Sequence, residues 1–316
     1  MRICLMIEGQ EGVSWDEWLA LARASEEAGV DALFRSDHYL SVQDRPERGS
    51  LDAWATLAAL AQATDRIRLG TLVSPATFRH PSVLAKMVVT VDHVSGGRVE
   101  LGIGAGWHEP EHRAYGFPFP DAAARLEALE EQIEIVHRSW AAGPFDFDGR
   151  HYQVEGLDAT PKPVQEPHPN LIVGGSAGPR SARLAARWAD EYNTVFASPE
   201  VCRERRQAVA SAWEAEGRDP AALVLSLMTG GLVGRDRPDL EQRARRAMDR
   251  HGREGSVDAW LDEVRGEWIV GTLDEAADRL REYEAAGVAR VMLQHQRHDD
   301  LEMVALLGDL ADLVRS

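Results

Sequence analysis

Short apolar runs of strand character alternate with longer segments of helical period from Arg2 to the end of the chain, and this constrains the fold more than any other feature. Such alternation predicts repeated βα units that build a parallel sheet. Eight strands are predicted, at residues 2–7, 32–35, 67–71, 99–103, 171–173, 192–195, 223–229 and 290–294. Helical period marks residues 15–28, 51–63, 81–94, 122–141, 179–189, 199–215, 240–248, 273–286 and 301–314. The expected fold class is α/β, a TIM (β/α)8 barrel, which typically needs about 250 residues plus insertions and so suits a chain of 316 as one domain over residues 1–316.

Two phrases nearly repeat, EAGVDAL at residues 27–33 and AAGVARV at 285–291. Each reads as a helix stopped by glycine and a short turn into a strand, which marks the stability face of a barrel. Two segments interrupt the alternation and are expected to be insertions. Residues 143–165 carry alternating aromatics around Asp148-Gly149, a hairpin signal, and residues 235–271 are long and charged.

Charge and cysteine content exclude several classes of partner. Lys plus Arg is 35 against 52 for Asp plus Glu, and the net charge of −17 opposes attraction to nucleic acid or anionic membranes. Cys4 and Cys202 match no metal spacing and suggest a reducing, cytoplasmic setting. No apolar run approaches the length of about 18 residues that a membrane span requires.

In a barrel of this kind chemistry belongs to the loops at the carboxyl ends of the strands. The second predicted strand runs into Ser36-Asp37-His38-Tyr39, where a carboxylate beside an imidazole suits proton transfer near neutral pH. The competing reading makes Asp37 a turn cap and His38 a packed side chain. After the third strand, Leu72-Val73-Ser74-Pro75 holds no acid or base, and Thr71 and Ser74 offer hydroxyls to a planar ligand. Arg79, a little further on, reads either as an anion contact or as a solvated side chain. The fourth strand ends in Gly102-Ile103-Gly104-Ala105-Gly106-Trp107, a partial match to a dinucleotide fingerprint that permits close backbone approach to a ligand.

The string His108-Glu109-Pro110-Glu111-His112 matches the zincin pattern letter for letter. Pro110 breaks the continuous helix that the zinc mechanism needs, so no metal site is assigned and Glu109 and Glu111 read as first-turn carboxylates or polar ligand contacts. Gly174-Gly175-Ser176-Ala177-Gly178 precedes a helix, and there consecutive amides, a helix amino terminus and the Ser176 hydroxyl make a ready phosphate site. A plain turn capped by Ser176 is the alternative.

The segments SDHY at 36–39, LGTLVSPATFRHPSVLAK at 69–86, TVDHVSGGRVELGIGAGW at 90–107, IVGGSAG at 172–178, ADEYN at 189–193 and GTLDEAADRLREYEAAGV at 271–288 together resemble the luciferase-like flavin and deazaflavin oxidoreductases. The resemblance covers essentially the whole chain and is nearest to the branch dependent on coenzyme F420. It implies a barrel, usually a homodimer, with the deazaflavin ring over a bulge at Leu72, Val73 and Ser74 that often contains a non-proline cis peptide. Cofactor phosphate would map onto Gly174, Gly175, Ala177 and Gly178, with backbone contacts at Ala105 and Gly106. Asp37 would touch the ring and His38 would lie near the transferred hydride.

One departure from the family pattern stands out. Trp107 occupies the position after the glycine loop where several deazaflavin dehydrogenases carry a catalytic Glu, and an indole exchanges no proton with substrate. It is expected instead to wall an apolar substrate pocket beside the cofactor.

The leading expectation is hydride transfer between F420 and a small organic substrate, an enone, imine or ketone, with reduced cofactor supplied by a separate reductase. The alternatives are an FMN-dependent monooxygenase that uses reduced flavin and O2, and a catalytically silent flavin-binding protein. The anionic tail of the deazaflavin would call for basic residues, and Arg79, Lys86, Arg180 and Arg183 are candidates.

Overall fold

A computed structural model describes residues 1–315. Its element order is β1 (Arg2–Ile7), α1 (Trp15–Glu27), β2 (Ala32–Arg35), α2 (Ala53–Ala63), β3 (Arg68–Pro75), α3 (Pro81–Ser95), β4 (Val99–Gly104), α4 (Glu109–Tyr115), α5 (Ala122–Trp140), β5 (Phe145–Asp148), β6 (Gln153–Leu157), β7 (Asn170–Gly174), α6 (Pro179–Trp188), β8 (Glu191–Val195), α7 (Pro199–Ala215), β9 (Val224–Gly234), α8 (Arg237–Arg250), α9 (Val257–Val264), β10 (Ile269–Thr272), α10 (Leu273–Ala285), β11 (Arg290–His295) and α11 (Leu301–Arg315).

Helix starts follow capping chemistry. Ser14 and Glu17 form a reciprocal capping box on α1, Asp52 caps α2, Pro81 opens α3, and Asp121, Ser198 and Asp236 cap α5, α7 and α8. The two near-repeat phrases end α1 and α10, and Gly29 and Gly287 there adopt φ of +72° and +88°.

Eight parallel strands close into a ring in the order β1, β2, β3, β4, β7, β8, β9, β11, with β11 returning to β1. The expected TIM barrel is present, and helices surround it. α4, α9 and β10 were not anticipated from the sequence, nor was the full length of β9. β9 runs five residues beyond the predicted end at Thr229, and β10 pairs with that extension at Gly231–Gly234. α4 starts within the zincin-like string. The hairpin expected around Asp148-Gly149 is present, with β5 and β6 paired antiparallel.

Apolar side chains on the outer faces of the strands pack against the helices in one large core that includes Leu5, Leu33, Leu69, Leu101, Leu171 and Leu293. Inside the ring a smaller cluster of Cys4, Met6, Ala32, Phe34, Leu72, Ile172 and Met292 forms the floor. Below it the amino end of the barrel is plugged by charge. Arg290 donates to Glu100 at 2.7 and 3.0 Å and to Glu191 at 3.1 Å, and all three are buried. Among the described residues no helix is long and apolar enough to cross a membrane.

Candidate active site

At the carboxyl end of β2 the chain turns through Ser36, Asp37 and His38. Asp37 is buried, and its carboxylate accepts from Ser74 Oγ at 2.7 Å and from Arg79 at 2.5 and 3.1 Å. Ser74 in turn accepts from Trp54 Nε1 at 3.0 Å. Arg79 also reaches Asp52 at 2.9 Å and the Tyr39 hydroxyl at 3.0 Å. It is therefore neither a free anion contact nor a solvated side chain, because two carboxylates already engage its guanidinium.

His38 Nδ1 lies 2.6 Å from Glu111 Oε1, and the other Glu111 oxygen accepts from the Tyr39 amide at 3.0 Å. Burial alone would depress the imidazole, but the hydrogen bond and charge of Glu111, with Glu8 and Asp37 beyond it, hold it above its ordinary value. Glu111 is correspondingly held low: burial opposes this, and the bond to His38 prevails. His38 Nε2 has no partner among the described residues, so one ring nitrogen is fixed and the other is free for a ligand. Glu111 was read from the sequence as a first-turn carboxylate or polar ligand contact, not as the partner of His38. The tie spans 73 positions, and no local signal announces it.

The bulge expected after β3 is present as a register shift between Thr71 and Ser74 against β4, with a cis peptide at Leu72-Val73. Val73 is pushed onto β4, and the glycines there make room for it. A Cβ at position 102 would stand 2.2 Å from the Thr71 carbonyl oxygen, and one at position 104 would stand 2.8 Å from Val73 Cγ2. Gly102 and Gly104 were read as permitting approach of a ligand; the neighbour they admit is the bulge itself. Ala105 and Gly106 continue the loop, and Gly106 adopts φ of +80° beside Thr77 and His112. Trp107 is 63% exposed and stands edge-on to His38 at 5.6 Å between ring centroids, a rim for the mouth.

The zincin-like string is divided by α4. His108 precedes the helix, Glu111 turns to His38, and His112 bonds the His108 carbonyl at 2.7 Å and Thr77 at 2.6 Å. These side chains are committed to one another and to the loop.

At the end of β7, Gly174 leads into the loop of Gly175, Ser176, Ala177 and Gly178. The Gly175 amide is used by the Asn193 carbonyl, and the Ala177 amide donates to the Tyr192 hydroxyl at 2.8 Å with Ala177 at φ of +57°. Gly178 is the N-cap of α6 and supplies no side chain, so Ser176 is not the cap. The amides of Ser176 and Gly178 and those of the first turn remain without internal acceptors, as helix geometry dictates. That set fits an anionic group.

Across the mouth, Glu8 at the end of β1 accepts from Gln10 and Gln294, each at 2.6 Å, and Ser36 joins Gln10 at 2.5 Å. Neither Glu8 nor Gln294 was anticipated, because strand-end residues without a recognisable motif carry no distinguishing pattern. The charges proposed for the cofactor tail are largely engaged elsewhere: Lys86 donates to the Thr160 carbonyl and Arg180 pairs with Glu130.

Residues 2–290 match the family described as luciferase-like monooxygenase. The chain belongs to that family. A Mycobacterium tuberculosis relative of unassigned function is 32% identical over 197 residues, covering 62% of this chain and 65% of the relative. The match thus spans slightly under two thirds of the length of that protein. An F420-dependent glucose-6-phosphate dehydrogenase of Nakamurella multipartita is 28% identical over 310 residues, covering 92% of this chain and 89% of the relative. Among solved structures, an F420-dependent secondary alcohol dehydrogenase in complex with an F420-acetone adduct superposes with a TM-score of 0.85 at 20% identity, covering 100% of this chain and 99% of that one. This likeness carries the luciferase-like barrel fold.

Proposed function

We propose that this luciferase-like chain is an oxidoreductase that transfers a hydride between coenzyme F420 and a small organic substrate of the enone, imine or ketone type. The observation that carries the reading is the His38–Glu111 pair, set at the mouth beside the bulge with His38 Nε2 unpartnered. The relative that aligns over nearly the whole chain is F420-dependent, which favours the deazaflavin over FMN.

The residues present fit such a cofactor. Leu72, Val73 and Ser74 offer a platform for a planar ring, Ala105 and Gly106 offer backbone, and Trp107 offers an indole at the rim. Gly174, Gly175, Ser176, Ala177 and Gly178 offer amides to its phosphate. When bound, the deazaflavin supplies a hydride donor or acceptor. The chain supplies the proton. Glu111 favours the charged form of His38 and orients the ring, so that Nε2–H is available to an oxygen or carbon that gains negative charge as hydride is delivered. In the reverse direction the same nitrogen accepts a hydroxyl proton. Asp37, bonded to Ser74 and Arg79, holds the platform in position beneath the ring. A homodimer, and a separate reductase that supplies reduced cofactor, belong to the same proposal.

The test is titration of the purified protein with F420 and FMN side by side, followed by assay of F420H2 oxidation with an activated alkene. Saturable F420 binding with turnover is expected. Tight binding of FMN alone, with O2 consumed when reduced FMN is added, would replace this reading with the monooxygenase chemistry of the family name.

A further inference from the structure

Basic side chains gather on one side of the barrel mouth in a chain whose net charge is −17. Two cavities there, of about 180 and 320 Å³, share Gln43, His251 and Trp268, and so form one cleft. Arg250 lines the inner part and Arg45 the outer. Neither forms a salt bridge among the described residues, whereas nearby Arg48 is neutralised by Glu11 at 2.6 Å and Arg253 by Glu263 at 3.0 Å. Arg250 is half-buried, and its Nη2 donates to the Glu11 carbonyl at 2.9 Å and to His298 Nδ1 at 3.1 Å. Both acceptors are neutral atoms. No carboxylate hydrogen-bonds to it: Glu11 and Asp299 act on it only at a distance, each already paired with another arginine, and His298 Nε2 stands 3.1 Å from Glu17.

A partly desolvated guanidinium held by neutral acceptors and facing a cavity is an unfilled anion contact. The acids that also line the cleft are satisfied internally: Glu11 by Arg48, Ser41 and the Val42 amide, and Glu8 by Gln10 and Gln294. Trp268 forms a fixed wall. It packs on the backbone of Gly230, where a Cβ would stand 2.2 Å from the indole, and meets Trp260 edge-on at 5.7 Å.

The position of the cleft in the ring decides whose anion it serves. Counting round the barrel, β7 lies four places from β1, directly opposite it, and the cleft stands at the ends of β1 and β11. We propose that this cleft binds the anionic group of the substrate, a carboxylate or phosphate, with Arg250 as the principal contact and Arg45 as the outer one. The assignment to substrate rests on the proposed placement of the cofactor phosphate on the β7 loop. The substrate is then a small organic acid or phosphate ester, and its reactive carbon is directed toward His38 from the side away from that loop.

The test uses benzoate and inorganic phosphate as probes, titrated into the full chain with and without saturating F420 and followed by tryptophan emission and calorimetry. At least one probe is expected to bind saturably in both conditions. Arg250→Gln is expected to weaken it tenfold or more, Arg45→Gln severalfold, and Arg250→Lys to an intermediate degree, with F420 affinity unchanged. The conservative Arg250→Lys and the peripheral Arg45→Gln keep the test informative if Arg250→Gln fails to fold. Absence of saturable binding in the wild type, or binding indifferent to these substitutions, overturns the proposal. Displacement of the probe by F420, or a parallel loss of F420 affinity in Arg250→Gln, overturns it in favour of the anionic tail of the cofactor. Probe binding in a protein that does not bind F420 leaves the anion site standing and overturns the proposed function instead.

Discussion

His38 has one ring nitrogen available, because Glu111 occupies the other at 2.6 Å. If that nitrogen moves the proton, His38→Ala lowers turnover by about 10²- to 10⁴-fold while F420 affinity in the same titration is retained. Glu111→Gln keeps the shape and removes the charge. The His38 titration midpoint, followed by NMR, and the matching limb of the pH–rate profile then both move down, whereas a purely structural glutamate would leave the midpoint in place. The stability effect of the pair has a defined window. A raised imidazole contributes fully below its ordinary 6.5 and loses this as pH rises through its raised value, and a lowered carboxylate contributes above 4.5 and loses this as pH falls through its lowered value. The pair therefore stabilises most between about pH 4.5 and 6.5. At this scale the sequence announced His38 through its place at a strand end next to Asp37. Glu111 was visible only as a first-turn carboxylate or polar contact; its tie to His38 was hidden, since only the fold brings together residues 38 and 111, and Glu8 was hidden because a lone acid at a strand end looks like any surface acid.

The element that carries the platform depends on its neighbour. The bulge of β3 exists because β4 has no side chains at 102 and 104 to oppose Val73. Gly102→Ala places a methyl group 2.2 Å from the Thr71 carbonyl oxygen, so it is expected to cost about 3 kcal/mol, seen as a lower melting temperature, and to weaken F420 binding further by displacing Leu72 to Ser74. A loss of stability with cofactor affinity intact would separate the platform from the ring. Strand positions were legible here because short apolar runs of three to seven residues bounded by glycine or charge have few other uses in a βα repeat. The end of β9 and the whole of β10 were not. Gly230, Gly231 and Gly234 weaken the strand signal, and Ile269–Thr272 is four residues long beside a charged helix. α4 was obscured by Pro110, which reads as a breaker until the helix is seen to begin at Glu109.

Across the whole molecule, the charged plug joins strands that are distant in sequence: β11 through Arg290, β4 through Glu100 and β8 through Glu191. The two glutamates are unequal. Burial raises both, but Glu100, gripped by Arg290 and by Arg68 at 2.5 Å, is pulled down to about 2, while Glu191 has one oxygen without a partner and stays raised. Glu100 thus contributes stability above its ordinary 4.5 that is lost as pH falls toward about 2. Glu191 contributes in the opposite sense: its benefit is complete at low pH and is lost as pH rises through its raised value. At pH 8 Glu100→Gln is expected to lower the melting temperature, and Glu191→Gln to raise it by about 2 °C, a gain of about 1 kcal/mol. Arg290→Met leaves Glu191 without a charged partner and Glu100 with Arg68 alone, and is expected to cost about 3 kcal/mol in denaturant unfolding.

The pairing of β10 has a different kind of consequence. β8 leaves β9 at Met228 and β11 leaves it at Gly231, so β10 holds only the stretch of β9 that projects past the closed ring. Residues 235–268 therefore meet the ring through side chains and packing, not through its strand ladder. Their length can change without unpairing any of the eight strands provided that the ties of Thr229 to the Glu267 carbonyl, Arg243 to Asp300 and Arg250 to the Glu11 carbonyl are kept, so the wall that bears Arg250 and Trp268 can vary while the ring beneath it stays the same.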